Sequence, residues 1–341
     1  MPKILTGQSA TSRTIADTTP ATKSSSIDTS FLFFSNNPEE VKMADTADQG
    51  RFLYRDSVTG AGQVYTWHQN TTGSSLTSML LIYNPNPFVI KVEASNYGLS
   101  NNVYSDSAAW KSYFDGTNTS ITVAAGGYGN LFSRTILNNS AWGVISRLNI
   151  KNNNTSVAAN ATLFDLAYVN SSLSGNATAY ATSVGTSLKR GKGEGFFTNL
   201  SCTIPMTSST PTDGIRVNFG ATNNSGYSGN ECATITDASG STSGKLPGAF
   251  GQQMSITVTI SNQTGSAKKF RIYLGGNSGV HAQAFSFQGT NVSYNSDAAS
   301  AKYYDIIESD SIANNGTQVI NFFTALPGGK NTPLSFGVRA V

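Results

Sequence analysis

Apolar and polar residues alternate along most of this chain, from Phe31 to its last residue. In Phe88-Val89-Ile90-Lys91-Val92-Glu93-Ala94, the residues Phe88, Ile90, Val92 and Ala94 fall on one side, with Lys91 and Glu93 on the other. Met254-Ser255-Ile256-Thr257-Val258-Thr259-Ile260 alternates without a break, and Phe270, Ile272 and Leu274 repeat the pattern after a Gly-containing turn. Successive side chains of a strand point to opposite faces, so each run predicts a strand with one dry and one wet face. Turn-forming pieces separate the runs: Asn84-Pro85-Asn86-Pro87, Ala125-Gly126-Gly127, Gly275-Gly276-Asn277 and Pro327-Gly328-Gly329. The one helical stretch predicted is Ser107 to Phe114. Many short strands joined by Gly-rich turns predict an all-β fold of two antiparallel β-sandwich, jelly-roll-like domains.

A length of 341 residues suits two domains, each with a full core. Residues 1–29 are rich in Ser, Thr and Ala and cannot bury enough surface to offset their ordering entropy, which predicts a flexible arm. The periodic signal then divides into a first sandwich over 30–180, a linker over 181–194 and a second sandwich over 195–341. Leu334-Ser335-Phe336-Gly337-Val338-Arg339-Ala340-Val341 alternates again, so the sequence finishes in a strand that completes its own sheet or a neighbour's edge. Ile4, Leu5 and Ile15 in the arm, and Leu334, Phe336 and Val338 in this last strand, are the candidate assembly residues.

Composition changes the picture in one respect. Charged residues are 12% of the chain, about half the usual share. A polar, nearly uncharged surface repels its copies weakly, which favours packed association. The net charge of +3 is scattered, and the one basic cluster, Lys189-Arg190-Gly191-Lys192, lies among Gly and Ser as in a connector. No basic stripe follows a phosphate backbone, so nucleic acid is not an expected partner. No window reaches the ~20 apolar residues of a membrane span, and Met1-Pro2-Lys3-Ile4-Leu5-Thr6 has no signal-peptide pattern. Thirteen Asn-x-Ser/Thr sequons occur, including Asn70, Asn118, Asn153, Asn176, Asn262 and Asn315. A chain this rich in Asn, Ser and Thr generates many by chance, and N-glycosylation is not expected.

Candidate chemistry is sparse. There is no G-x-S-x-G elbow, P-loop or H-E-x-x-H, and Gly191, Gly193 and Gly195 open no helix. Only His68 and His281 are available to histidine catalysis, and both read as structural or surface residues. Glu308 with Asp310, and Asp45 with Asp48, are weak calcium candidates. Trp67, Trp110 and Trp142 could form a sugar platform, although Trp142 sits in a core-like run. Cys202 and Cys232 are read as a disulfide between neighbouring strands, as two buried thiols or, third, as an intermolecular bridge. No metal site and no cofactor is expected, nor an enzyme.

Phe33-Phe34-Ser35-Asn36-Asn37-Pro38-Glu39, Leu53-Tyr54-Arg55-Asp56, Gln63-Val64-Tyr65, His68-Gln69-Asn70 and Tyr83-Asn84-Pro85 form an ordered series. With Gly193-Glu194-Gly195-Phe196-Phe197 and Leu326-Pro327-Gly328-Gly329 it resembles an uncharacterised family of bacterial surface-associated β proteins. That family occurs beside copper-amine-oxidase-type stalk domains in spore-forming Gram-positives, with related cyanobacterial domains of unknown function. The resemblance brings no catalytic residues, and implies a role at a bacterial surface. The chain departs from it in lacking the stalk domain and a signal peptide, which suits assembly in a sporulating cell that later lyses.

The sequence therefore predicts a self-assembling structural subunit of a cell- or spore-surface filament, layer or parasporal structure. Its main partner is a second copy of itself. A module binding surface glycans is the alternative, and a viral capsid subunit the third.

Overall fold

The computed structural model describes residues 1–6, 15–101, 106–170, 191–219, 232–236, 242–276, 281–296, 302–327 and 334–341. The N-terminal segment gives β1 (Lys3–Ile4), β2 (Ala16–Pro20) and β3 (Lys23–Ile27). Next come β4 (Phe31–Ser35), β5 (Glu40–Val41), β6 (Tyr54–Thr59), β7 (Ala61–Asn70), β8 (Leu76–Tyr83) and β9 (Ile90–Asn101). The helix α1 (Ser107–Phe114) leads to β10 (Asn118–Val123), β11 (Tyr128–Ile136), β12 (Ala141–Asn152) and β13 (Asn160–Tyr168). Then follow β14 (Lys192–Glu194), β15 (Phe197–Met206), β16 (Asp213–Phe219), β17 (Thr234–Thr236) and β18 (Thr242–Lys245). The chain closes with β19 (Gln253–Asn262), β20 (Phe270–Gly276), β21 (His281–Phe287), β22 (Thr290–Ser296), β23 (Lys302–Glu308), β24 (Thr317–Ala325) and β25 (Leu334–Ala340). The fold is all-β, and α1 spans the residues whose pattern predicted a helix.

Two compact units share these strands. The first comprises Thr29–Phe196 and Thr234–Gly244, the second Met1–Asp28, Phe197–Ala233 and Lys245–Val341. This differs from the expected arm, two consecutive domains and linker. The described parts of residues 1–29 are not a free arm: β1 pairs with β23, β2 with β16 and β3 with β15. Within the expected linker, Lys192–Glu194 is a strand on β4, while 171–190, with Lys189 and Arg190, lie outside the described residues. Backbone N–H and C=O groups at a sheet edge need partners, and these short polar segments supply them, so low apolar content did not leave them free. The sheets are also mixed, not purely antiparallel: β4 and β5 run parallel to β7, β15 to β19 and β2 to β16.

The two units repeat one topology. In the first, one sheet runs β10-β9-β12-β7-β4 and the other β11-β8-β13-β6. In the second, β22-β21-β24-β19-β15 and β23-β20-β25-β16 stand in the same relations, parallel pair included. Each unit then gains an antiparallel edge strand that precedes, in sequence, the other unit's first strand. β14, just before β15, pairs with β4; β3, just before β4, pairs with β15. The edge strands are thus placed reciprocally.

Between the two sheets of each unit lies one core. In the first it joins Val64, Val92, Val144 and Leu148 to Leu80, Ile82, Phe132 and Leu163. In the second Ile204, Met254, Ile256 and Val258 meet Phe270, Ile272, Phe336 and Val338. Each such side chain contributes about 1.5–3 kcal/mol on burial. β7 is buried on both faces; α1 packs on the outer side of the neighbouring β9 and β12, and from there the Tyr113 hydroxyl donates to Gln63 Oε1 of β7 at 3.2 Å.

Duplicated corners brace both units. At the end of β19, Asn262 Nδ2 donates to the carbonyls of Ser266 (2.8 Å) and Ile312 (2.7 Å), while its Oδ1 accepts from Thr264 N and Oγ1. Gly265 N reaches Asn314 Oδ1 at 3.0 Å. At the end of β7, Asn70 makes the same bonds to Ser74, Ile136 and Thr72, and Gly73 N reaches Asn138 Oδ1. Gly73 (φ 88) and Gly265 (φ 87) hold matching left-handed positions. Both sequon asparagines are fully buried, so their amides cannot accept a glycan in the folded chain. Asn262→Ala removes four hydrogen bonds at a buried site and leaves the Thr264 N–H without its acceptor, and is expected to cost about 2 kcal/mol, against no more than ~0.5 kcal/mol for exposed Asn118→Ala. Urea unfolding of the two variants checks this, and equal costs would overturn it.

Candidate functional site

The six residues proposed from sequence for assembly are mostly used by the fold itself. β25 is central in its sheet, between β20 and β16, and Phe336 and Val338 are fully buried in the core. Leu334 pairs with Phe219 and Gly276 in that ladder. Ile15 is buried against Tyr273 and Tyr303. Ile4 packs on the second unit's core, and half-buried Leu5 donates its N–H to Ile306 O. None of the five whose side chains are described stands on an open surface.

Beside them lies a charged lattice on the β1-β23-β20-β25 sheet. Arg271 binds Glu308 (2.8 Å) and Asp305 (3.1 Å), buried Arg339 grips Asp305 through two nitrogens, and Lys3 reaches Glu308 at 3.3 Å. The Met1 amino group binds Asp310 at 2.6 Å. These bonds fix β1 at its edge. Burial pushes the Glu308 carboxyl up, but hydrogen bonds and charge from Arg271 and Lys3 hold it below its ordinary value. A depressed carboxyl adds stability that is complete above its unfolded value, roughly 4.3, and is lost as pH falls through the folded one. Amide exchange at Leu5 is therefore expected to quicken, relative to its intrinsic rate, below about pH 4. Unchanged protection at pH 3 would count against the lattice as the clamp on β1.

The first unit holds a buried Ser, His and Asp. His68 Nδ1 lies 2.7 Å from Pro38 O, an acceptor only, so this nitrogen carries a proton. Nε2 faces both Asp165 Oδ2 (2.9 Å) and Ser35 Oγ (3.2 Å). A relay needs the acid on one ring nitrogen and the nucleophile on the other, and here both crowd one. All three residues are buried, and Trp142 packs 5.2 Å from the His68 ring. Arg134 completes the cluster, donating through Nη2 to Gly143 O at 2.6 Å; burial pulls its guanidinium down to about 10, with Asp165 opposing. The arrangement is a structural brace. The side chain of His281 lies outside the described residues.

The calcium candidates are engaged elsewhere. Asp48 accepts the N–H groups of Val169 and Asn170, and Asp45 that of Lys42; Glu308 and Asp310 belong to the charged lattice. Among the described residues no cluster of three His, Cys, Asp or Glu could hold a metal ion. Trp67, Trp110 and Trp142 are buried and offer no sugar platform. Cys202 and Cys232 are buried free thiols in one core instead of a disulfide, and burial pushes the Cys202 thiol up to about 12.

What the second unit leaves open is the outer face of its β22-β21-β24-β19-β15-β3 sheet. Alternation sends Ile204, Met254, Ile256 and Phe322 inward, and their neighbours outward. Register aligns the outward residues in rows: Ser24, Ser201, Thr257 and Asn321 in one, and Ser26, Asn199, Ser255 and Phe323 in the next. Ser24 Oγ and Ser201 Oγ are 2.7 Å apart. No Asp, Glu, Lys or Arg projects from this face among the described residues. Sequence reasoning missed it because the same Ser/Thr alternation marks any wet sheet face.

No family model matches the chain, and neither does any curated protein. Among solved structures, the PBSX exported protein XepA is 10% identical, with 85% of each chain covered and a TM-score of 0.17. The insecticidal delta-endotoxin Cry8Ea1 from Bacillus thuringiensis is 8% identical over 76% of this chain and 54% of its own, with a TM-score of 0.19. A conserved protein of unknown function from Pseudomonas aeruginosa PAO1 is 6% identical over 84% and 98%, with a TM-score of 0.14. Similarity at this level carries no argument about architecture or activity. Among the described residues no helix is long and apolar enough to cross a membrane.

Proposed function

We propose that this protein is a structural subunit that self-associates into a filament or layer, built from two β-sandwich units and working at a bacterial cell or spore surface. The reciprocal placement of β3 and β14 carries this reading. A ladder of backbone hydrogen bonds is largely indifferent to side chains, so a strand from a second copy fits the same edge as the chain's own. Five residues of β3 and three of β14 make these ladders short enough to exchange. The low charge of the chain opposes close packing of copies only weakly. The resemblance to bacterial surface β proteins points the same way on location.

Negative-stain electron microscopy of the full chain over a concentration series tests the proposal. Ordered fibres or sheets are expected. A variant starting at Ser30 is expected to lose them, with its thermal melt recorded because it also lacks β1, β2 and β3. Uniform single particles from the full chain at every concentration and salt would overturn the reading.

A further inference from the structure

Comparison of the two repeats shows where a second copy fits. In the first unit, the connection between β9 and β10 contains α1, which packs on the outer face of the β9-β12-β7 sheet and seats Tyr113 on Gln63. In the second unit the matching strands β21 and β22 are joined by a tight turn at Gln288 and Gly289, and no helix intervenes. Among the described residues, the face on which α1 packs in one repeat is therefore bare in the other. Its outward residues include Val319, 55% exposed, and Phe323, 39% exposed.

We propose that this bare sheet face is a contact between copies of the chain, laid face to face about a two-fold axis. The inference rests on the self-assembly reading and assigns it a surface. Three features favour a second copy as the occupant. Without charge, the face meets its own image with no repulsion, whereas the outer side of the charged lattice would not. Ser and Thr hydroxyls both donate and accept, so a hydroxyl grid is complementary to itself. Six strands ~4.8 Å apart, up to ten residues long at ~3.3 Å each, present roughly 700–800 Å², close to the ~800 Å² per partner of a standard interface. Val319 and Phe323 supply the apolar centre that such contacts need.

Thr257 lies within this grid and points outward, so Thr257→Lys sets like charges near each other across the two-fold without touching the core. Sedimentation velocity of the full chain at 0.15 M salt is expected to show concentration-dependent dimers. Thr257→Lys is expected to weaken them at least tenfold, and Thr257→Ser to leave them within twofold. Asn321→Lys, in the same row, is a second charged variant should the first fail to melt as the parent does. Assemblies that persist unchanged in both lysine variants would overturn the face assignment while leaving self-assembly intact. A chain monomeric throughout would overturn both. A monomer that binds a neutral polysaccharide, and loses it in Thr257→Lys, would overturn the contact and make the face a glycan site.

Discussion

Replacing Asp165 with alanine is expected to lower the unfolding free energy by about 3–5 kcal/mol. Its carboxylate sits 2.9 Å from Nε2 of the buried His68, close to the half-buried Arg134, whose Nε and Nη1 are out of water. Removing it leaves a guanidinium facing no counter-charge, and Arg134 already has Nε and Nη1 without hydrogen bonds. An uncompensated buried charge costs far more than a lost surface pair. The midpoint of urea unfolding should fall while the slope stays constant. In a His68→Ala background the same change is expected to cost less, with a coupling above ~1 kcal/mol, because the two residues share one bond. A loss under ~1 kcal/mol from Asp165→Ala alone would mean that water enters the cluster and that it braces nothing.

The second large effect is expected at Gly98. A Cβ on this residue would lie 1.8 Å from the carbonyl oxygen of Ala109 and 2.5 Å from its carbon, both backbone atoms of α1. No rotamer change relieves such an overlap, so the helix must move off β9. Gly98→Ala is expected to cost about 3 kcal/mol and to expose Trp110, now fully buried. A red shift of tryptophan emission under native conditions would report the undocking. Unchanged emission together with an unchanged midpoint would show that the sheet yields instead of the helix.

The sequence was legible where alternation is strict and silent where contacts join distant segments. Met254, Ile256, Val258 and Ile260 point inward as their spacing predicts, and all four are fully buried. Lys91 and Glu93 lie outward as predicted, where they form an ion pair at 2.8 Å. Ser107 to Phe114 is a helix whose Ser107, Ala109 and the aromatic pair Trp110 and Tyr113 form one buried face, and it packs against β9. Residues 1–29 misled because composition reports what a segment buries and says nothing of the backbone bonds it completes. The strand Lys23-Ser24-Ser25-Ser26-Ile27 has no apolar alternation, yet five of its residues pair with β15. Phe336 and Val338 were read as assembly residues because a core strand and an interface strand share one pattern. One signal of the duplication was present. Asn70-Thr71-Thr72-Gly73-Ser74 and Asn262-Gln263-Thr264-Gly265-Ser266 are the same corner, although in the sequence both stand out as glycosylation sequons and not as a repeat.

The crossed edge strands also bear on how the molecule is made. Translation delivers β3 long before β15, its strand partner among the described residues, and the wait spans about 170 residues. At ~5–20 residues per second that is on the order of ten seconds or more. The first unit likewise lacks β14, β17 and β18 until well past the middle of the message. The first unit has all its strands once Gly244 is made, whereas the second stays incomplete until β25 follows, so the halves become native in turn. Until β14 is made β4 keeps an open edge, whereas β15 emerges with β3 already waiting to pair with it.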